Sequence, residues 1–351
     1  CESQLIIPGC NAAESLQFEK VFLCQMAFFV QPPVTTALKA ANLQRKPDYN
    51  ILWKLFAVSG ILYLEFVLSC GQAGPVQGRL RKAGRKQGLI KYYDIGVNLF
   101  CRQFPDPEKV VREAAAEGVK CILTGTDMRE NRKIEEFVKT HDAFGTAGIH
   151  PHNADRSTRE DFEQIERMLR ENGKLVAVGE CGLDYDRMFS TKENQIRCLE
   201  KHIVLAEKLD RPLFLHERSA AYDFIKRFKN HQDICRKSVV HCFTGDRKTL
   251  DQYLSMGFSI GITGWICDDR RARELREAVQ IIPLDRILVE TDAPYLTPKN
   301  VPGLGRTNVP GNIKYVVRDL AGYRKISEEE LIRHARENTE RIFGTGSREE
   351  K

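Results

Sequence analysis

Short apolar runs alternate with amphipathic stretches from residue 91 to the end of the chain. The apolar runs are rich in β-branched residues, which favour strands, and the stretches between them have the spacing of helices that bury one face. This alternation predicts βα units around a parallel sheet. We predict eight strands, at residues 92–99, 120–126, 144–150, 175–181, 212–216, 238–243, 258–264 and 287–292.

Signals for helix starts support this division. Ser is followed three residues later by Glu at Ser157, Ser190 and Ser327, the spacing of a capping box that satisfies backbone amides at a helix start. Two further helices are predicted at residues 311–322 and 328–343. Eight βα repeats in about 250 residues predict an α/β fold, a (β/α)8 TIM-type barrel with extra C-terminal helices. A doubly wound open sheet is disfavoured because no GxGxxG motif follows the first strand.

The first ninety residues have a different pattern. Residues 51–70 form an apolar run of membrane length, but Lys54 and Glu65 interrupt it and each would be costly in lipid. Residues 71–88 combine glycines with basic side chains, which predicts a flexible linker. We therefore predict an N-terminal extension over residues 1–90, a hydrolase barrel over residues 91–345 and a short tail over residues 346–351.

Charge and cysteine content limit the function classes. The chain has a net charge of +6, and residues 1–90 hold 10 of the 54 Lys and Arg but only 5 of the 48 Asp and Glu, so the remainder is nearly neutral. This excludes a uniformly basic surface for nucleic-acid binding on the barrel. The chain has 11 cysteines, and the seven that follow residue 90 form no CxxC pair. Such scattered thiols are typical of a reducing compartment, so we expect a cytoplasmic protein.

Polar side chains gather where the predicted strands end. In a TIM barrel the C-terminal ends of all strands meet at one mouth, where active sites are built. A charged residue is costly in a buried strand, so each of these positions needs a partner or a function. The candidates are Asp94, Asn98, His150, His152, Glu180, His216, Arg218, His241 and Asp292.

Four of these residues have the chemistry of a metal site. The imidazoles of His216 and His241 together with the carboxylates of Glu180 and Asp292 suit Zn²⁺, Mn²⁺ or Mg²⁺ supplemented by water. A bound cation would lower the pKa of a water ligand and stabilise charge on an ester or phosphoryl oxygen. The sequence therefore predicts metal-assisted hydrolysis.

The remaining candidates would complete a catalytic site. Asp292 could act as general base, and His150 or His152 could protonate a leaving group or hold a phosphate. The guanidinium group of Arg218 presents paired N–H donors that suit a phosphate. We expect the substrate to be contacted by Arg218, Asn98 and Asp94.

Other polar residues are expected to be bystanders. Glu217 follows His216 directly, so strand alternation predicts a surface charge. The same alternation turns Cys181 and Cys242 away from their ligand neighbours. Four histidines fall on helices or at helix ends, where we expect solvent exposure: His141, His202, His231 and His334.

Seven stretches of this chain closely resemble the TatD-type metal-dependent deoxyribonuclease family, within the metallo-hydrolase barrel superfamily. They run in order over residues 92–343. They are YDIGVNL (93–99), TAGIHPH (146–152), VGECGLD (178–184), FLH (214–216), VVHCFTG (239–245), GITGW (261–265) and VETDAPYL (289–296).

The resemblance implies a nuclease that holds divalent ions through Glu180, His216 and His241. It makes Asp292 a ligand or base. It also matches His150 and His152 to the family's HPH element near the scissile phosphate. Many relatives in the superfamily carry an HxH pair on the first strand, whereas this chain has Gly96-Val97-Asn98 there, as the TatD branch does. That difference favours partly hydrated Mg²⁺.

The residues thus predict a metal-dependent hydrolase, and we expect a monomer. The resemblance implies that it hydrolyses phosphodiester bonds as a 3′–5′ DNA exonuclease. Its expected partners are single-stranded DNA or strand ends and, as a further option, RNA, with no membrane partner for the barrel. Two alternatives stay open at this point. One is an ester hydrolase, such as an aminoacyl-tRNA deacylase, in which the same metal-bound water would attack an acyl carbon. The other is a scaffold barrel without catalytic activity.

Overall fold

The computed structural model describes residues 49–58, 61–70, 73–78 and 90–346. The chain divides between Gly84 and Arg85 into two compact units. Within the first unit, strands β1 (Tyr49–Val58), β2 (Ile61–Cys70) and β3 (Ala73–Gly78) form an antiparallel sheet in that order.

Residues 51–58 and 61–70 of the apolar run therefore lie in two strands. Among the parts of the chain that the structure describes, none of the helices is both long and apolar enough to cross a membrane. Strand β3 lies within the segment predicted as a linker at residues 71–88, and residues 79–88 are outside the described residues. The boundary at residue 90 stays a prediction.

The second unit is a nearly closed barrel of eight parallel strands, counted over residues 90–346. They are β4 (Tyr92–Val97), β5 (Val119–Leu123), β6 (Phe144–Ala147), β7 (Leu175–Asp184), β8 (Leu213–Arg218), β9 (Val239–Val240), β10 (Ser259–Ile262) and β11 (Ile287–Val289). Each strand pairs with its neighbours in sequence order. A parallel bridge between Val97 and Ala293 joins the first strand to the last, and the Asn98 amide donates to the Ala293 carbonyl at 2.7 Å. The predicted TIM-type barrel is confirmed.

Helices cover the outside of the barrel. They are α1 (Pro107–Ala116), α2 (Met128–Thr140), α3 (Arg159–Glu171), α4 (Lys192–Leu209), α5 (Ala221–Phe228), α6 (Gln232–Lys237), α7 (Arg247–Met256), α8 (Arg273–Ala278), α9 (Ile313–Arg324) and α10 (Glu328–Phe343). Ser327 caps α10 as predicted. The predictions at Ser157 and Ser190 were each wrong by one residue, because Thr158 and Thr191 accept the capping hydrogen bonds.

Two apolar clusters hold the barrel together. The larger one packs the helices against the strands. The smaller one takes side chains from six strands, so it fills the barrel interior. Phe214 belongs to this interior cluster, and its ring stacks against His241 with centroids 4.4 Å apart. The apolar interior therefore supports the polar residues at the mouth.

Candidate metal centre and active site

The C-terminal ends of the strands surround a cavity of about 950 Å³. Every predicted site residue except Asp94 lines this cavity. The lining also includes Thr126, Glu130, Asn153, Asp184, Arg187, Phe189, Glu217, Trp265 and Tyr295.

Glu180 on β7 is the centre of the polar cluster. Its Oε1 lies 2.8 Å from His241 Nε2, 3.1 Å from His216 Nδ1 and 3.3 Å from His150 Nε2. Burial would raise the pKa of this carboxyl, but the facing imidazoles of His150 and His241 outweigh burial and hold it well below its usual range. Glu180 is therefore an anion among three imidazoles.

The cluster fits a divalent cation. One ligand atom each from His150, Glu180 and His216 lies within 4.8 Å of the others. His216 Nε2 is buried and, among the described residues, has no hydrogen-bond partner, although it lies 3.4 Å from Asp184 Oδ2. A buried ring nitrogen without a hydrogen-bond partner, close to carboxylates, is typical of a histidine that binds a metal ion. His216 pairs with Glu180 on one ring nitrogen and is available for an ion on the other.

Asp184, at the end of β7, holds the histidines on one side of the cavity. Its Oδ2 lies 2.7 Å from His152 Nε2, and its Oδ1 accepts the backbone N–H groups of Asp186 and Arg187 at 3.0 and 2.8 Å. Burial alone would raise the pKa of Asp184, but these bonds and His216 hold it well below its usual range. Asp184 is thus an ionised carboxylate that fixes His152.

Glu290, which directly follows β11, holds the histidine on the other side. It is fully buried, and its Oε2 lies 3.2 Å from His241 Nδ1. Burial would lower the pKa of His241, but the charges of Glu180 and Glu290 raise it well above its usual value. The imidazole therefore lies between two carboxylates.

Asp292 and Asn98 form a pair at the same mouth. Asn98 Nδ2 donates to Asp292 Oδ1 at 2.8 Å. Burial raises the pKa of Asp292 to about 7. Burial also lowers the pKa of His150 to about 4, despite the opposing charge of Glu180. His150 is therefore a neutral imidazole at neutral pH, whereas Asp292 can gain or lose a proton there.

The other two predicted substrate contacts differ in position. Arg218 lines the cavity, is 44% exposed and makes an ion pair with Asp186 at 2.9 Å. Asp94 is fully buried and accepts the backbone N–H and the hydroxyl of Thr291 at 2.8 and 2.5 Å. Asp94 lies three residues before the end of β4, so it is too deep in the barrel to reach the described cavity. The structure does not bring it to the other candidates.

Three bystander expectations were wrong. Cys242 was expected to turn away from His241, but both residues line the cavity. Glu217 is no free surface charge, because it lines the cavity and accepts the Tyr253 hydroxyl at 2.6 Å and the Ala220 N–H at 2.7 Å. His202 is 0% exposed and accepts the Ile149 N–H on Nε2 at 3.1 Å. It lies on the buried face of α4 with Cys198, Leu199 and Ala206, so its position on a helix did not by itself predict solvent exposure.

Sequence reasoning gave no role to Asp184 or Glu290, although both stand at predicted strand ends. Their spacing held a signal. Asp184 follows Glu180 by four residues and Glu290 precedes Asp292 by two, so each lies near a candidate ligand on its own strand. Phe189 was missed because nothing in the sequence marks a single apolar residue of a loop as exposed.

Comparison with known proteins agrees with this fold. A family model described as TatD related DNase matches residues 93–344. The 3′-5′ ssDNA/RNA exonuclease TatD of Erwinia amylovora is 41% identical over 258 residues, which cover 72% of this chain and 99% of that protein. The protein of the same name from Pectobacterium parmentieri is 42% identical over 257 residues, 72% and 98% of the two chains.

Solved structures give the same result. YjjV, a TatD homolog from Escherichia coli K12, has a TM-score of 0.67 at 27% identity and covers 73% of this chain and 99% of its own. A TatD family hydrolase from Entamoeba histolytica has a TM-score of 0.65 at 25% identity, with coverages of 73% and 98%. The family match spans the barrel from its first strand to its last helix, and the resemblance seen in the motifs is confirmed: this chain belongs to the TatD family of related DNases.

Proposed function

We propose that this chain is a metal-dependent nuclease that removes nucleotides from the ends of single-stranded DNA or RNA. The observation that carries the proposal is the position of Glu180 among three imidazoles in a cavity whose rim bears guanidinium groups. The relatives are named as 3′-5′ ssDNA/RNA exonucleases, which supports this substrate class and a 3′–5′ direction of hydrolysis.

The residues around Glu180 would hold the ion. His150, Glu180 and His216 have ligand atoms within 4.8 Å of one another, and His241 and Asp292 line the same cavity as further nitrogen and oxygen donors. Carboxylates and bound water suit Mg²⁺, so Mg²⁺ is the ion we propose, with Mn²⁺ and Zn²⁺ as the alternatives. When bound, such an ion supplies an activated water and stabilises charge on the phosphoryl oxygens.

The chain's own side chains would move the protons. Asp292 is oriented by Asn98 and would accept a proton from the attacking water at its carboxylate. His152 donates a hydrogen bond from its Nε2–H to the Asp184 carboxylate, so Nδ1 is the ring nitrogen that would exchange a proton with the leaving oxygen. Asp184 fixes the orientation of this ring in both protonation states.

Two arginines at the rim would bind the backbone phosphates of the nucleic acid. Among the lining residues in the described part of the chain, Arg187 and Arg218 are the ones with permanent positive charge. Asp186 lies 2.9 Å from Arg218 and 3.9 Å from Arg187, so it keeps both guanidinium groups on one side of the mouth. A small number of phosphate contacts fits a strand end better than a long duplex track.

The alternative of aminoacyl ester hydrolysis has no specific observation in its favour. The metal chemistry would serve either bond, but the related proteins carry nuclease names. A scaffold barrel without catalysis would have no reason to keep a buried carboxylate among three imidazoles. We therefore retain the nuclease proposal alone.

The test is hydrolysis of a 5′-labelled single-stranded DNA by the full chain, with Mg²⁺ or with EDTA, beside the His216→Ala variant. We expect stepwise shortening from the 3′ end that requires Mg²⁺ and that falls at least about a hundredfold in the variant. An aminoacyl ester is assayed in parallel. Faster turnover of that ester than of DNA, or shortening that persists in EDTA and in the variant, would overturn the proposal.

A further inference from the structure

Phe189 is an exposed aromatic residue on the rim of the catalytic cavity. It lies in the segment between β7 and α4 and is 66% exposed. It also lines the cavity together with His150 and His152. A large apolar side chain that is exposed on the wall of the reaction cavity is in a position to contact the substrate.

The segment that carries Phe189 is fixed at both ends. Before it, Asp184 Oδ1 accepts the N–H groups of Asp186 and Arg187. After it, the Ser190 hydroxyl donates to the His152 carbonyl at 3.0 Å and accepts the Asp155 N–H at 3.1 Å. The ring is therefore presented in a defined place without being buried, and little conformational entropy remains to be lost on binding.

The surroundings of the ring match the parts of a nucleotide. The Phe189 ring meets the His152 ring edge to face, with centroids 4.8 Å apart and planes at 86°. That contact covers only part of the ring, as its exposure shows. Arg187 lies two residues away along the same rim. An aromatic surface, a cation and the reaction site thus follow one another, as a base, a phosphate and a scissile bond do in a strand.

We propose that Phe189 stacks on an unpaired base of the substrate, next to the scissile phosphate, and so selects single strands. This deepens the proposed nuclease function and rests on it. Stacking on an aromatic side chain is tolerant of base identity because every base has a π-face, but it requires a base that is free of its own stack and partner. A paired strand end would have to fray before it could engage the ring.

The experiment compares the full chain with Phe189→Ala, Phe189→Leu and Phe189→Tyr. Met188→Ala is the control for the loop, because Met188 is the exposed neighbour that lies outside the cavity lining. The substrates are 5′-labelled single strands of one sequence that carry an abasic residue at the terminal position, at the penultimate position, far from the end, or nowhere. The readout is kcat/KM for the first cleavage in Mg²⁺.

We expect Phe189→Ala to lose about tenfold or more in kcat/KM on the unmodified strand and on the strand with the distant abasic residue. At one of the two end positions the abasic residue removes the base that stacks on Phe189. On that strand the loss caused by Phe189→Ala should shrink to less than about twofold. Phe189→Tyr should keep the wild-type rate, and Phe189→Leu should lie between.

An equal loss on all four strands, or no loss on any, would overturn the stacking role while leaving the nuclease function intact. A wild-type protein that cleaves none of the strands would overturn the nuclease function itself, and the stacking role with it.

Discussion

At the scale of single residues, Glu290 shows how the site is supported from below. Its Oε2 contacts His241 Nδ1, and its Oε1 accepts the Cys242 N–H at 2.5 Å. A Cβ added to Gly96 or Gly261 would come within 2.3 or 2.6 Å of these oxygens, so the two glycines leave the space that the carboxylate occupies. The buried carboxylate therefore directs His241 Nε2 toward Glu180.

We predict that Glu290→Gln weakens metal binding by about tenfold to a hundredfold, because the neutral amide no longer orients and polarises His241. Affinity is measured from the rise of the melting temperature with Mn²⁺ concentration. The control is Glu337→Gln, an exposed residue on α10 that makes an ion pair with Arg333. Equal Mn²⁺ affinity in the wild type and in Glu290→Gln would contradict the supporting role.

His202 makes a prediction about pH. Burial lowers its folded-state pKa to about 4, whereas an unfolded histidine has a pKa of about 6.5. The unfolded chain therefore binds this proton first, and the contribution of His202 to stability, present above pH 6.5, is lost as pH falls toward 4. The loss reaches about 3 kcal/mol.

The measurement is urea unfolding between pH 4 and pH 7 for the wild type and His202→Gln. Gln keeps an acceptor for the Ile149 N–H but does not titrate, so the free energy of unfolding of the variant should fall less steeply with acid. Parallel pH profiles for the two proteins would show that His202 does not titrate as the structure requires.

Strand ends predicted which residues meet, but not how deep each one lies. Glu180, His216 and His241 converge because they stand on neighbouring parallel strands. Asp94 was grouped with them from the same rule, yet it stands earlier on its strand and pairs with Thr291. The depth of a side chain depends on strand register, which periodicity alone does not give.

At the scale of elements, the pairing of β7 with β8 places Glu180 and Asp184 beside His216. Gly182 is opposite His216 in this pairing and has a φ of +149°. A Cβ at this position would lie 1.8 Å from the His216 carbonyl oxygen. The close approach of the strands is what lets Glu180 and Asp184 both reach His216.

We therefore predict that Gly182→Ala lowers the free energy of unfolding by about 2–4 kcal/mol, from the clash and from the unfavourable φ. Gly173→Ala is the matched control, because a Cβ there meets no described atom within 4 Å. Urea unfolding of both variants is the measurement. Equal stabilities for the two would contradict the close packing of β7 on β8.

Helix positions could be predicted well, but the first residue was right for α10 and one residue off for α3 and α4. The start of α3 falls at Thr158 with Asp161 in reciprocal hydrogen bonds, and not at Ser157 with Glu160. Adjacent hydroxyl and acidic residues offer two registers of the same motif, and packing of the helix on the barrel decides between them. The identity and order of the elements follow from hydrophobic period, which spans many residues.

At the scale of the whole molecule, the barrel unit has its own apolar clusters, drawn from residues between Tyr92 and Phe343. The two units separate between Gly84 and Arg85. We predict that a chain starting at Lys91 unfolds at the same urea concentration as the full chain and keeps kcat/KM on single-stranded DNA within about twofold, because it keeps the core and the site intact. Loss of folding or activity in the shortened chain would show that the first ninety residues are required.

The family could be recognised from the sequence because its motifs coincide with the strand ends that form the mouth. The identities of the metal and of the substrate could not be predicted from the sequence in the same way. Nitrogen and oxygen donors such as those around Glu180 accept several divalent ions, and the same activated water attacks more than one kind of ester. The choice of substrate depends on the rim of the cavity, where Phe189 and Arg187 lie on a loop without a sequence motif.

The most direct test of the central claim is the Glu180→Gln variant, because this one carboxylate contacts all three imidazoles of the proposed metal centre. Two quantities are measured on the same preparation: the rise of the melting temperature with Mn²⁺ and kcat/KM on single-stranded DNA. We predict that the variant folds, that the Mn²⁺-dependent rise disappears, and that kcat/KM falls by at least about a hundredfold. A variant that keeps both the Mn²⁺ response and the cleavage rate would show that the catalytic metal is bound elsewhere.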